Sequence, residues 1–262
     1  METISPTDAF PVRVEVDAGI GVVTMHRPDA RNAINPAMRQ AIRTSLSDLE
    51  ADDNVHVMIL TGTDPAFSAG LDLKVLAQQS PEEARFGQGS TSPFGVRTKP
   101  LIGAINGVAI TGGFELALNC DFLIASEHAR FADTHARVGV MPGWGLTPLL
   151  TDAVGRTRAR QISLTGNFVA AQQALEWGLV NEVVPHDRLL ERTHEVAQAI
   201  VDNDPIGVRQ MLATYRSQED AALAEAWQLE TNGAEAFAKQ TTPGAEIAAR
   251  RESVMERGRT QL

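Results

Sequence analysis

Only one cysteine occurs in the 262 residues, Cys120, so no disulfide can form within the chain. It stands in Leu118-Asn119-Cys120-Asp121-Phe122-Leu123, an apolar setting that suits a buried, inert thiol better than a catalytic thiolate. Long apolar runs are also missing, and no stretch approaches the roughly 20 apolar residues of a membrane span. Met1 to Pro11 carry neither a basic segment nor an apolar run of secretory length, so the default expectation is a cytoplasmic protein. Positive charge is in deficit: 23 Lys and Arg face 33 Asp and Glu, for a formal net charge of -10. That balance argues against nucleic acid or an anionic membrane as the main partner. It leaves room for a phosphorylated small molecule, which local cations can serve. The six histidines (His26, His56, His128, His135, His186 and His194) show no zinc-site spacing with one another or with Cys120, so no metal is expected. A G-x-S-x-G elbow, a G-x-x-x-x-G-K-[ST] loop and a G-x-G-x-x-G turn are all absent.

What is present is an ordinary folded composition, 43% hydrophobic and 21% charged, in a chain long enough for one large domain or a core with an appendage. Val12 to Asp17 and Ile20 to Met25 read as two strands joined at Gly19. Pro36 opens a helix through Glu50, with Met38, Ile42, Leu46 and Leu49 on one face. Short apolar strands follow at Val55–Thr61, Pro100–Ile105, Phe122–Ala125 and Asn181–Val184. Helical patterns alternate with them at Leu71–Leu76, Glu115–Asn119, Thr147–Val154, Arg156–Leu164 and Ala170–Trp177, the last stopped by Gly178. This alternation predicts an α/β core. Gln78 to Lys99, rich in Gly, Ser, Gln and Thr, reads as a long loop lining a pocket, and Phe131 to Gly145 as an irregular segment. Beyond Asp187 the pattern is helical only: Asp187–Val201, Pro205–Tyr215, Glu219–Lys239 and a last helix after Pro243. No internal repeat is visible. The change of pattern near 190 divides the chain into 1-190 and 191-262.

One stretch carries chemistry, Ala104 to Ala117. Asn106-Gly107 there is a hairpin signal. Gly112-Gly113 can be an ordinary turn, or can let a ligand approach the backbone. If a helix begins at Gly112, Glu115 lies one turn on, beside free N–H groups that favour negative charge. A glutamate there commonly just satisfies the helix dipole.

Five segments in order resemble the enoyl-CoA hydratase/isomerase (crotonase) family. They are Arg27-Pro28-Asp29-Ala30-Arg31-Asn32-Ala33-Ile34-Asn35, Phe67-Ser68-Ala69-Gly70-Leu71-Asp72-Leu73, Asn106-Gly107 through Thr111-Gly112-Gly113-Phe114-Glu115-Leu116-Ala117 with Cys120-Asp121, Phe131 to Thr147 with Gly139 and Pro142-Gly143, and Ala174 to Val184. The resemblance implies a spiral of repeated β-β-α units at 1-190 with an acyl-CoA site. It implies a C-terminal helical region at 191-262 that assembles a homotrimer or a dimer of trimers. Coenzyme A enters as part of the substrate, and no separate cofactor is implied.

By position the resemblance assigns the thioester oxygen, which gains charge as an enolate, to the backbone N–H groups of Leu71 and Gly112. It puts the coenzyme near Ala30, Ala69, Asp72 and Leu73, with Arg27, Lys74 or Arg31 near its phosphates. Glu115 falls on one of the two glutamates that handle water in typical hydratases. Where the second is expected, the chain reads Asp133-Thr134-His135, so His135 takes that place and Thr134 replaces the family's proline. An imidazole can exchange a proton at neutral pH, with Asp133 to orient or charge it. A structural histidine is the other reading. Trp144 is expected to pack near the acyl pocket.

The function so implied is addition of water across the double bond of a 2-enoyl-CoA, with Glu115 orienting or deprotonating water and His135 assisting proton transfer. Double-bond isomerisation through one base, Glu115, is the alternative on the same scaffold. An acyl-CoA-binding protein with little hydratase activity is the alternative outside enzymes.

Overall fold

The computed structural model describes residues 11–78, 92–240 and 243–261. Its strands are β1 (Val12–Asp17), β2 (Ile20–Met25), β3 (Val57–Gly62), β4 (Ala66–Ser68), β5 (Leu101–Ile105), β6 (Val108–Ile110), β7 (Phe122–Ser126), β8 (Arg130–Ala132), β9 (Val169–Ala170) and β10 (Glu182–Val184). Its helices are α1 (Pro36–Ala51), α2 (Leu73–Gln78), α3 (Gly112–Leu118), α4 (His135–Val138), α5 (Leu146–Val154), α6 (Arg156–Thr165), α7 (Ala171–Glu176), α8 (Leu189–Val201), α9 (Pro205–Ala238) and α10 (Pro243–Arg259).

Two sheets form, a six-stranded one in the order β1-β2-β3-β5-β7-β10 and a four-stranded one in the order β4-β6-β8-β9. Pairing is parallel except at β1–β2 and β8–β9. The chain crosses between the sheets three times in the same way. β3, β5 and β7 lie in the large sheet, β4, β6 and β8 follow them in the small one, and α2, α3 and α4 follow those. This is a β-β-α spiral, as the resemblance implied. Asn106-Gly107, a hairpin signal in sequence, makes one of these crossings, because β5 and β6 each find their partners in different sheets.

The large sheet is covered on both faces, which is why its central strands are almost wholly apolar. Along β3, Met58 and Leu60 face one core with Met38, Ile42, Leu46 and Leu49 of α1. Val57 and Ile59 face the other, with Leu189 and Ala197 of α8. Asn35 caps α1 by accepting from the Met38 N–H at 2.8 Å, and Pro36 takes the first turn, where no N–H is needed.

Two differences from the sequence pattern affect the site. The segment after Phe131 is less irregular than its glycines suggest, since it contains the short helix α4. The two helices expected between 205 and 239 are one, α9, of 34 residues. Arg216-Ser217-Gln218 contains no breaker, and Arg216 pins the helix to the body by pairing with Asp121 at 2.9 Å. Most of the loop expected at Gln78 to Lys99 lies outside the described residues.

Candidate active site

The site lies beyond the ends of β4, β6 and β8, three parallel neighbours in the small sheet. Gly70-Leu71 follow the first, Thr111-Gly112 the second and Asp133-Thr134-His135 the third. Parallel sheets present ligands at their carboxyl ends, where successive loops converge.

Backbone pairing explains how Leu71 is turned. Ile34 donates to the Gly70 carbonyl at 2.7 Å and accepts from the Asp72 N–H at 3.0 Å. In such a parallel bridge the intervening residue directs its own N–H away from the partner strand. Gly112 is the first residue of α3, so its N–H has no intrahelical acceptor. Among the described residues neither amide meets an acceptor. The two loops abut: a Cβ built on Gly70 would lie 3.3 Å from the Gly112 nitrogen, and one on Gly112 would lie 3.5 Å from Cγ of Leu71. The sequence therefore brings together the two donors it implied.

Close packing behind them needs glycine at 113, where a Cβ would come 2.4 Å from the Ser68 carbonyl. Thr111, just before α3, has φ 54° and ψ -116°, a conformation that costs a β-branched residue about 1–3 kcal/mol. It is held there by its N–H on the Ala132 carbonyl (2.9 Å) and its hydroxyl on that of Thr134 (2.7 Å).

Glu115 and His135 are both buried and face each other. Glu115 Oε1 accepts from the N–H of Gly143 at 3.0 Å and of Trp144 at 2.7 Å. Its Oε2 lies 3.4 Å from Nε2 of His135. On the opposite side of the ring, Asp133 Oδ1 accepts from Nδ1 at 2.6 Å and from the His135 backbone N–H at 3.1 Å. Burial works against charge on the imidazole, but the hydrogen bonds and negative charges of Asp133 and Glu115 outweigh it and push its pKa up to about 10. Burial likewise opposes charge on Asp133, and contact with His135 still holds its carboxyl below the usual range. The His135 ring thus sits between Asp133 and Glu115, in surroundings that favour its charged form.

The residues expected around the coenzyme gather beside Leu71, with one difference. Arg27 and Asp72 are paired with each other at 3.2 Å, and Arg27 also donates to the Ala33 carbonyl. Ala30 ends a short 3-10 turn, and the Ala69 N–H donates to the neighbouring Arg31 carbonyl at 2.9 Å. Leu73 opens α2, and Lys74 is the exposed cation next to it. Trp144 is buried, and its ring is the nearest group to a Cβ placed on Gly112, at 3.3 Å, with Ile34 at 3.6 Å. Leu71, Ile34 and Trp144 therefore make an apolar surround for whatever the two amides hold. Cys120, expected as a buried thiol, is half-buried, and the desolvation of its thiol pushes its pKa up to about 12. Among the described residues no three His, Cys, Asp or Glu side chains gather as a metal site.

Sequence reasoning missed several supporting residues. Asn32 is fully buried, donates to the carbonyls of Thr63 (2.7 Å) and Ala66 (2.6 Å) and accepts from the Arg27 N–H, holding the coenzyme-side loop in shape. Asn119 donates to the carbonyls of Glu115 and Trp144, both at 2.8 Å, tying the end of α3 to the 143–147 turn. Glu230 of α9 was missed entirely. It accepts from the N–H groups of Gly145 (2.7 Å) and Thr147 (2.6 Å) and from the Thr147 hydroxyl (2.7 Å).

Comparison with known proteins agrees with this geometry. Residues 15–252 match the family model described as enoyl-CoA hydratase/isomerase. The chain is 38% identical over 222 residues to a probable peroxisomal enoyl-CoA hydratase 1 of Arabidopsis thaliana, covering 84% of this chain and 83% of that one. It superimposes with a TM-score of 0.81 on the crystal structure of an enoyl-CoA hydratase from Mycobacterium tuberculosis, at 48% identity, covering 87% of this chain and 98% of the other. A monofunctional enoyl-CoA isomerase from M. smegmatis is similar too, with a TM-score of 0.68 and 33% identity over 83% of this chain and 98% of that one. With the Leu71 and Gly112 loops abutting near a buried glutamate, on a spiral shared over most of its length, this chain belongs to the enoyl-CoA hydratase/isomerase family.

Proposed function

We infer that this protein is an enoyl-CoA hydratase, a hydro-lyase that adds water across the double bond of a 2-enoyl-CoA. The observation that carries this reading is the facing pair Glu115 and His135, 3.4 Å apart beside the Leu71 and Gly112 amides. The thioester oxygen accepts from both amides. They stabilise the charge that develops as water attacks C3, and each such donor is worth about 2.7–4 kcal/mol of barrier. Glu115, its Oε1 fixed by two backbone donors, takes the proton of the attacking water on its remaining oxygen. His135, charged and braced by Asp133, delivers the Nε2 proton to C2 as the enolate collapses. Ala30, Ala69, Leu73 and Lys74 line the approach of the coenzyme, and the Arg27–Asp72 pair stiffens it.

Isomerisation is the second reading, favoured by the presence of one carboxylate where typical hydratases have two. A single base, Glu115, then shuttles the proton between carbons. Loss of the enoyl-thioester absorbance of crotonyl-CoA, abolished in Glu115→Gln, supports hydration. Retained absorbance with turnover of a 3-enoyl-CoA supports isomerisation. Tight acyl-CoA binding without turnover of either supports a binding protein.

Residues 191-262 are assigned to assembly as a homotrimer or dimer of trimers. Ile206, Met211, Tyr215 and Leu229 on α9 support this, being large apolar side chains left exposed on a single chain. Light scattering on the eluted protein tests it. Among the described residues no helix is long and apolar enough to cross a membrane.

A further inference from the structure

Four backbone N–H groups of the Gly143–Thr147 turn end on two buried carboxylates. Gly143 and Trp144 donate to Glu115, while Gly145 and Thr147 donate to Glu230. The two carboxylates therefore grip one short turn from two helices far apart in sequence. Glu230 is the buried residue of α9, a helix that is otherwise largely open to solvent. Three residues earlier, the Trp227 ring lies against Gly145, where a Cβ would come 2.0 Å from the ring. Gly145 has φ +84°, so glycine is needed there on both counts.

A carboxylate is a demanding group to bury, and three converging donors are what make Glu230 tolerable in that position. No substrate-facing role is needed to account for it. Its three bonds fix the second half of the turn, and the first half supplies both donors that orient Glu115. Trp144, whose ring lies against Gly112, belongs to that first half.

We propose that Glu230 is a positioning residue for the reaction, which through the Gly143–Thr147 turn holds Glu115 and Trp144 in their working orientation and so makes α9 part of the active site. The proposal rests on the reading of Glu115 as the base. Misplacing a reacting group by about 1 Å costs on the order of a hundredfold in rate, while binding determinants on the coenzyme side are left alone. The effect of losing Glu230 is therefore expected in kcat and not in KM.

The test compares Glu230→Ala, Glu230→Gln and Thr147→Val in the full-length protein with crotonyl-CoA. Glu230→Ala is expected to lower kcat about a hundredfold with KM within about threefold of the parent. Glu230→Gln keeps the acceptor oxygen and is expected to recover most of that loss. Should Glu230→Ala fail to fold, Thr147→Val, which removes only the hydroxyl bond, is expected to lower kcat several-fold. Amide hydrogen exchange supplies a readout that needs no turnover: in Glu230→Ala and Thr147→Val, Gly143 and Trp144, whose acceptor is Glu115, are expected to exchange faster. Faster exchange at these amides would support the positioning role even if the parent hydrated no enoyl-CoA. Folded Glu230→Ala or Thr147→Val with parental kcat, or exchange altered only at Gly145 and Thr147, would overturn it.

Discussion

The imidazole of His135 is held asymmetrically, 2.6 Å from Asp133 on its Nδ1 side and 3.4 Å from Glu115 on its Nε2 side. The short contact fixes the ring and its charge. The longer one leaves the Nε2 proton less tightly held, on the side that faces Glu115. Asp133 therefore orients the ring and favours its charged form, and Nε2 is the atom the proposed mechanism uses.

The activity of the parent protein should fall on the alkaline side as pH rises through about 10, where His135 gives up its extra proton. Replacing His135 with alanine should lower kcat by about a hundredfold and remove that limb. A rate-against-pH profile on both proteins checks this. An alkaline limb that persists in the alanine variant would exclude His135 as its source.

Stability should follow the same group. The folded-state pKa of His135 is raised from 6.5 to about 10. Its contribution is thus fully present below pH 6.5 and is lost as pH climbs through 10. Asp133 is held low, so its contribution is present above the ordinary carboxylate pKa and is lost as pH falls through the folded value. The Tm advantage of the parent over His135→Gln should be largest at about pH 5 to 6 and shrink steadily on the alkaline side. Thermal unfolding across that range reads it directly; a difference that stays constant from pH 6 to 10 contradicts the assignment.

Glu115→Gln keeps the two backbone donors satisfied through its carbonyl oxygen but cannot take a proton. We expect kcat to drop about 10²–10⁴-fold with acyl-CoA affinity nearly unchanged. Calorimetric titration beside the rate measurement separates the two, and a matching loss in affinity would point to a binding role.

Gly113→Ala places a methyl group 2.4 Å from the Ser68 carbonyl, a backbone atom that cannot swing aside. The expected cost is about 1–3 kcal/mol or more in stability, with a lower Tm. Gly112→Ala meets only the edge of Trp144 at 3.3 Å. It should fold more nearly as the parent does and show its effect in KM. Paired melts and kinetics distinguish the two substitutions.

Much of the molecule was legible because burial leaves a periodic trace. The β1–β2 ribbon and α1 have edges that the apolar pattern alone locates to within a residue or two, and Gly112 and Glu115 stand out by their chemistry. Other features leave no such trace. The threefold β-β-α crossing is invisible because its strands are buried on both faces and as short as three residues, so they share no polar pattern to repeat. Glu230 binds backbone N–H groups, which every residue but proline offers, 85 positions away in the chain. Nothing in the residues of that turn announces the partner. The continuity of α9 likewise depends on Arg216 reaching Asp121, a long-range contact that a local pattern does not contain.

Leu71, Gly112 and His135 each stand at the end of a separate strand of the small sheet. In the proposed reaction, polarising the carbonyl and moving the proton are therefore jobs done on different rungs of one ladder. A single substitution on the third rung can change which reaction follows enolate formation while the first two keep their grip on the thioester. A histidine where the resemblance to the family implies a glutamate is the kind of exchange such a division permits.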